Sequence, residues 1–317
     1  MSDILLSNEV SINLFVELFL YILLFVALLY TLSIVKGYKK GDTTSHQYFL
    51  EKRSYLVITI LNVSLVIKIL LLPFFTYTLD KLSTIIPGAM CAAGVIKANS
   101  YGEPTLILKI IIIMLILLWV RLNKEDEMAK NHPYFMQKLY FFIFIFMLIS
   151  IEIILEVLYL TNISTLSPVL CCSTIYKTLQ DQNPIPFGLS ISVVLFLFYS
   201  LYGLILLIAH AKKRVMLFVL SLIYVYVAYY GVVYFFSSYI YELPTHKCPF
   251  CMLQSDYYYI GYFIFSSLFI ATYYSLSMSI FNFSKDNFSK IVMFYTFFIF
   301  ISSLHFVFYF LKNGVLL

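Results

Sequence analysis

Cys248-Pro249-Phe250-Cys251 sets two thiols at i and i+3, a spacing that lets their sulfurs approach across one turn of helix. Pro249 suits the first position of a helix, which puts Cys248 at the N-cap of the apolar segment opened by Tyr257-Tyr258-Tyr259. Unpaired amides and the helix dipole favour thiolate there, so Cys248 is expected as nucleophile and Cys251 as resolving thiol. His246 and Lys247, just upstream, push the same way. The remaining cysteines are Cys91, in Pro87-Gly88-Ala89-Met90-Cys91, and the vicinal pair Cys171-Cys172. A vicinal disulfide distorts its peptide bond, so Cys171 and Cys172 are expected to pair with separate partners.

A CxxC with an intervening proline at the mouth of a membrane helix resembles the membrane oxidoreductases that make disulfides, the vitamin K epoxide reductase-like and bacterial quinone-linked families. In those families of four or five helices, a helix-borne CxxC passes electrons from loop cysteines to a quinone. The resemblance implies that Cys248 and Cys251 are the membrane pair, that two of Cys91, Cys171 and Cys172 are the shuttle pair, and that a quinone is the cofactor. Cys171 or Cys172 is the expected exchange partner of Cys248, because their proline-bearing loop has the reach to cross a bundle mouth.

The same side chains support a second chemistry. Thiolate and thioether select Cu(I), and Met90, Cys91, His246, Cys248, Cys251 and Met252 make up such a ligand set. Zinc suits it less, because His246 is the single histidine in these segments. A third possibility is purely structural, with two disulfides stapling loops and one thiol left over.

Charges inside apolar runs are the other candidates. Lys68, Glu152 and Glu156 lie within such runs, with Glu17 and Lys109 nearer one end, and each is expected to face the bundle interior. Counted inward from the helix ends, Lys68 and Glu152 fall at similar depth and are expected to pair. Glu152 and Glu156 stand one turn apart on one helix. Such a group serves as the proton path or ion site of a transporter or channel, or as a buried pair that fixes helix register. His305 is a further candidate for a proton path, though a lone histidine on an apolar helix is more often simply hydrogen-bonded.

The elements that hold these residues follow from composition. The chain is 62% apolar and 12% charged, too few charges to coat a soluble core. A soluble enzyme and a nucleic-acid binder are excluded, and the lipid bilayer is the first partner. No Walker motif and no CxxCH sequence occurs, so neither ATP chemistry nor covalent haem is expected. Eight runs have spanning length: Val10–Val35, Ser54–Leu79, Thr105–Leu122, Leu139–Thr161, Phe187–Ala211, Val215–Ile240, Tyr257–Phe283 and Ile291–Leu311. Gly203, Gly231 and Gly261 are expected to allow close helix contact. Pro73 is expected to kink the second span and open a cavity, or to be simply tolerated there.

The expected fold is therefore all-α, a single transmembrane helical domain over residues 1–317. Of the 21 Lys and Arg, fourteen fall in the loops after the odd-numbered spans and five on the opposite side. The positive-inside rule then puts both termini outside the cytoplasm, together with the loops 80–104, 162–186 and 241–256 that hold every cysteine. An oxidising compartment suits thiols that pair, exchange or hold a soft metal. The sequence thus predicts an integral protein of a bacterial inner membrane, with an extracytoplasmic thiol or metal protein as its partner.

Overall fold

The computed structural model describes residues 4–38, 44–89, 91–129, 132–165, 167–169, 185, 188–244, 246–281 and 285–316. Among them there is no strand, and eight helical segments are long and apolar enough to cross a membrane. A helix satisfies its own backbone groups in lipid, which is why an apolar chain of this kind adopts no open sheet. Large apolar side chains such as Phe15, Phe196 and Val215 lie exposed, as a lipid-facing surface requires. The chain is an all-α polytopic membrane protein. Its helices gather into two compact units, Met1–Cys171 and Cys172–Leu317.

The first unit holds α1 (Asn8–Gly37), α2 (Ser45–Leu82), the short α3 (Ala92–Ile96), α4 (Gly102–Met128) and α5 (Phe135–Thr161). α1 packs on α2 and α5, and α4 packs on α5. Leu24, Leu61, Ile112, Trp119, Phe142 and Ile145 meet in the core between them. α2 has 38 residues, about 57 Å at 1.5 Å per residue, well beyond a hydrocarbon layer of about 30 Å. It therefore begins nine residues ahead of the apolar run, at a Thr44 hydroxyl that accepts the Gln47 N–H at 3.4 Å. Pro73 lies inside α2, which continues through it to Leu82. Gly102 opens α4 where a Cβ would stand 2.1 Å from the Ile96 carbonyl oxygen, so only glycine lets α3 abut α4. Gly88, at φ +79°, faces Val169 across a 2.8 Å bond from the Val169 N–H to the Pro87 carbonyl.

The second unit holds α6 (Ile191–His210), α7 (Arg214–Gly231), α8 (Ser237–Tyr241), α9 (Ile260–Ile280) and α10 (Lys285–Asn313). α7 and α8 are joined through a single π-turn, Val232–Phe236, into one 28-residue span, Arg214–Tyr241. α9 packs on α7 and α10, and its buried residues include the small Ala271, Thr272, Ser275 and Ser279. Without bulk there, backbones approach closely, which is how membrane helices gain contact when lipid is as apolar as leucine. Gly231 fills this role beside the Phe198 ring, 3.1 Å from where a Cβ would stand. Gly203 does not: a Cβ there meets nothing within 4 Å.

Candidate functional site

Cys248 and Cys251 lie in the connection between α8 and α9. Their sulfurs stand within 4.8 Å of one another. Cys248 is half-buried and Cys251 buried. The connection is shaped by Tyr241, the last residue of α8, whose hydroxyl donates to the Cys248 carbonyl. The Tyr241 ring also packs against the His246 ring, 4.3 Å between centroids, and edge-on against Tyr257 at 4.6 Å. Ser237 donates its hydroxyl to the His246 carbonyl at 3.3 Å. Lys247 places its ammonium 5.4 Å from the centre of the Tyr234 ring.

The expected helix N-cap at Cys248 is not formed. Residues Cys251–Leu253 and Ser255–Tyr257 make two isolated 3₁₀ turns, and α9 starts only at Ile260. Tyr258 and Tyr259 both take left-handed backbone, φ 53° and 55°. Side chains bearing a Cβ pay steric strain there, and two in succession break any continuous helix from Pro249 into α9. The thiol pair is thus held by a tight turn, without the dipole of a long helix. The turn is packed from behind: Met252 is fully buried, and its Cγ and carbonyl lie 2.6 and 2.9 Å from where a Cβ on Gly261 would stand.

Cys91 belongs to the first unit, buried at the start of α3. Met90, Cys171 and Cys172 lie outside the described residues. Of the soft-metal set, the second unit brings His246, Cys248, Cys251 and Met252 onto one connection. The resemblance to quinone-linked enzymes implies a quinone. The cleft between Ile185, Leu189, Val194, Leu197, Tyr226 and Tyr230 has about 20 Å³, room for about one water and too small for a quinone ring.

The second constellation is larger than the expected pair. Lys68 reaches Glu152 at 2.7 Å, but it also reaches Glu17 at 2.5 Å. Lys109 donates to Glu17 at 3.0 Å, to Glu152, and to Glu156 at 2.7 Å. Four helices contribute: Glu17 from α1, Lys68 from α2, Lys109 from α4, Glu152 and Glu156 from α5. All five side chains are at most 4% exposed. The Lys109 ammonium also sits 4.7 Å from the centre of the Phe75 ring, one more group that stabilises a buried cation. Asn13, one turn before Glu17, donates its amide to Glu156 Oε1 at 2.5 Å. A cavity of about 10 Å³ opens between Glu17, Lys68, Lys109, Leu71, Leu72 and Ile113.

A further buried ion pair closes the α4–α5 junction. Lys138 meets Asp126 at 2.8 Å and donates to the Asn123 side chain at 3.0 Å. The Asp126 carboxylate also accepts the Tyr134 N–H at 2.8 Å, and the Trp119 indole donates to the Lys138 carbonyl at 2.8 Å. In the sequence Lys138 counts as a loop charge; in the structure it is buried.

No family model, no curated protein and no solved structure matches this chain.

Proposed function

We propose that this integral membrane protein exchanges thiols and disulfides through Cys248 and Cys251. The observation that carries the reading is the asymmetry of the pair. Two sulfurs lie within 4.8 Å, one on a half-buried residue and one on a buried residue. An accessible thiol is the one a substrate meets, and a shielded neighbour is suited to resolve the mixed disulfide.

In the oxidised pair, a substrate thiolate attacks Cys248 Sγ. A substrate–Cys248 bond forms, the Cys248–Cys251 bond breaks, and Cys251 leaves as thiolate. A second substrate thiol then attacks the mixed disulfide, releasing Cys248 and an oxidised substrate. Two electrons and two protons pass from the substrate to the pair, and the reverse sequence reduces a substrate disulfide. The basic asymmetry of the loops supports an extracytoplasmic position for the pair, with both termini outside, in a bacterial inner membrane.

The test is to equilibrate the purified protein in graded glutathione redox buffers, trap with an alkylating reagent and map peptides by mass. The expected result is a two-electron transition between Cys248–Cys251 disulfide and dithiol. Stoichiometric copper retained by a fully reduced protein would instead support Cu(I) capture by Cys248, Cys251, Met252 and His246. A pair that stays oxidised in strong reductant would mark it as a structural staple.

A further inference from the structure

The five charges of the Lys68–Lys109 cluster do not balance. Lys68 bridges Glu17 Oε2 and Glu152 Oε2, while Lys109 bridges Glu17 Oε1 and Glu152 Oε1. Two ammoniums and two carboxylates thus form a closed ring, neutral, with all four carboxylate oxygens engaged. Glu156 stands outside the ring as a third carboxylate. Its Oε2 accepts from Lys109, whose three protons are then all in use, and its Oε1 meets only the Asn13 amide among the bonds described. With every group ionised the cluster carries one uncompensated negative charge in a site of at most 4% exposure, and an interior of low dielectric resists such a charge.

A second observation points to what neutralises it. Asn13 is 1% exposed, and its carbonyl oxygen Oδ1 has no hydrogen-bond partner among the described residues. A buried acceptor left unpaired is costly. Rotated about its last side-chain bond, the Asn13 amide presents this oxygen to a hydroxyl on Glu156 Oε1. The proton gains an acceptor and the carbonyl gains a donor, in exchange for the amide's bond to Glu156 Oε1. We infer that Glu156 and Asn13 form a proton-binding site inside the first unit, with Glu156 taking up and releasing one proton while the Lys68–Lys109 ring stays charged.

The groups that set this equilibrium are few. α1 presents Glu17, α2 presents Lys68, α4 presents Lys109, and α5 itself presents Glu152 and Tyr159. The Tyr159 hydroxyl is committed to the Val95 carbonyl at 2.8 Å, and α3, Ala92–Ile96, carries no titratable side chain. The cavity of about 10 Å³ beside Glu17, Lys68 and Lys109 has room for about one water. The site lies wholly in the first unit and does not rest on the thiol reading.

Infrared spectroscopy of the purified full-length protein tests it. A protonated carboxyl gives a C=O stretch distinct from carboxylate, and that band shifts in D₂O. The wild type is expected to show one such buried acid at neutral pH, lost as pH is raised, and Glu156→Gln is expected to lack it. Glu156→Gln mimics the protonated side chain in shape and charge, so its melting temperature is expected to stay level over the pH range in which the wild type falls. Asn13→Leu removes both the amide that donates to Glu156 Oε1 and the carbonyl proposed to accept its proton, and is expected to keep the band but move its frequency, which holds the test open if Glu156→Gln does not accumulate. Persistence of the band in Glu156→Gln, an unmoved band in Asn13→Leu, or no acid band in the folded wild type would each overturn the assignment. So would stabilisation by Na⁺ or Li⁺ that depends on Glu156 without an acid band, which would make the site a cation site.

Discussion

Lys68 on α2 and Glu152 on α5 meet at 2.7 Å although 84 residues separate them in the chain. The pair does not stand alone, since the same ammonium also holds Glu17 and the same carboxylate also holds Lys109. Lys68→Met therefore leaves Glu17 and Glu152 with a single shared cation in a dry interior. A loss of roughly 3–5 kcal/mol is expected, the cost of stranding buried charge. The double variant Lys68→Met/Glu152→Gln is expected to lose less than the two singles combined, because it removes one charge of each sign. Unfolding in graded denaturing detergent measures all three. Additive losses would show that the ring does not act as a unit.

The spans were legible because a helix in lipid needs length and apolarity, and both are properties of a run of residues. Lys68 and Glu152 could be matched because depth along a helix is counted in one dimension. Glu17 and Lys109 join the same ring for a reason that count does not contain: which face each helix turns inward depends on packing of four helices at once. The edge of the apolar run puts Lys138 in a loop, yet α5 starts at Phe135 and buries it against Asp126. At the thiol pair, Pro249 suits the first position of a helix, yet the helix expected there does not form and α9 starts only at Ile260. The left-handed backbone at Tyr258 and Tyr259, neither of them a residue that favours it, left no sequence signal.

The Asp126–Lys138 pair makes Trp119 a reporter for the first unit. Trp119 is the one tryptophan of the chain, fully buried, and its indole bonds to the Lys138 backbone carbonyl. Lys138→Met keeps that carbonyl but strands the Asp126 carboxylate, so a loss of roughly 3–5 kcal/mol is expected. Intrinsic tryptophan fluorescence during unfolding checks it, with the transition displaced to lower denaturant. An unchanged midpoint would mean that the Tyr134 N–H and the His132 ring, 3.6 Å from Asp126 Oδ2, satisfy the carboxylate without Lys138.

Three glycines are expected to respond differently to one added methyl group. Gly102→Ala drives a Cβ into the Ile96 carbonyl at 2.1 Å, where backbone must move, and about 1–3 kcal/mol of stability is expected to be lost. Gly203→Ala meets nothing within 4 Å and is expected to be neutral or slightly stabilising. Gly261→Ala pushes on Met252 and Leu253, directly behind Cys251. Its expected effect is local: faster alkylation of Cys251 at nearly unchanged global stability. Thermal melts rank the three, and timed alkylation with peptide mapping isolates the last.

Tyr241 is the residue through which the end of α8 controls the thiol pair. Its hydroxyl donates to the Cys248 carbonyl, and its ring fills the space between His246 and Tyr257. Tyr241→Phe keeps the ring and removes the bond, which contributes about 1 kcal/mol in a typical protein setting. Cys248 then gains backbone freedom relative to Cys251, whose own turn is held by the Gln254 N–H to the Cys251 carbonyl at 3.0 Å. Closing the disulfide needs the two residues at a defined separation, so the variant is expected to form it less readily. Its transition in glutathione buffers should move by several-fold in redox ratio, toward the dithiol. Tyr241→Ala removes the ring as well and is expected to move it further. A transition that stays in place in Tyr241→Phe but moves in Tyr241→Ala would assign the control to ring packing rather than to the hydrogen bond.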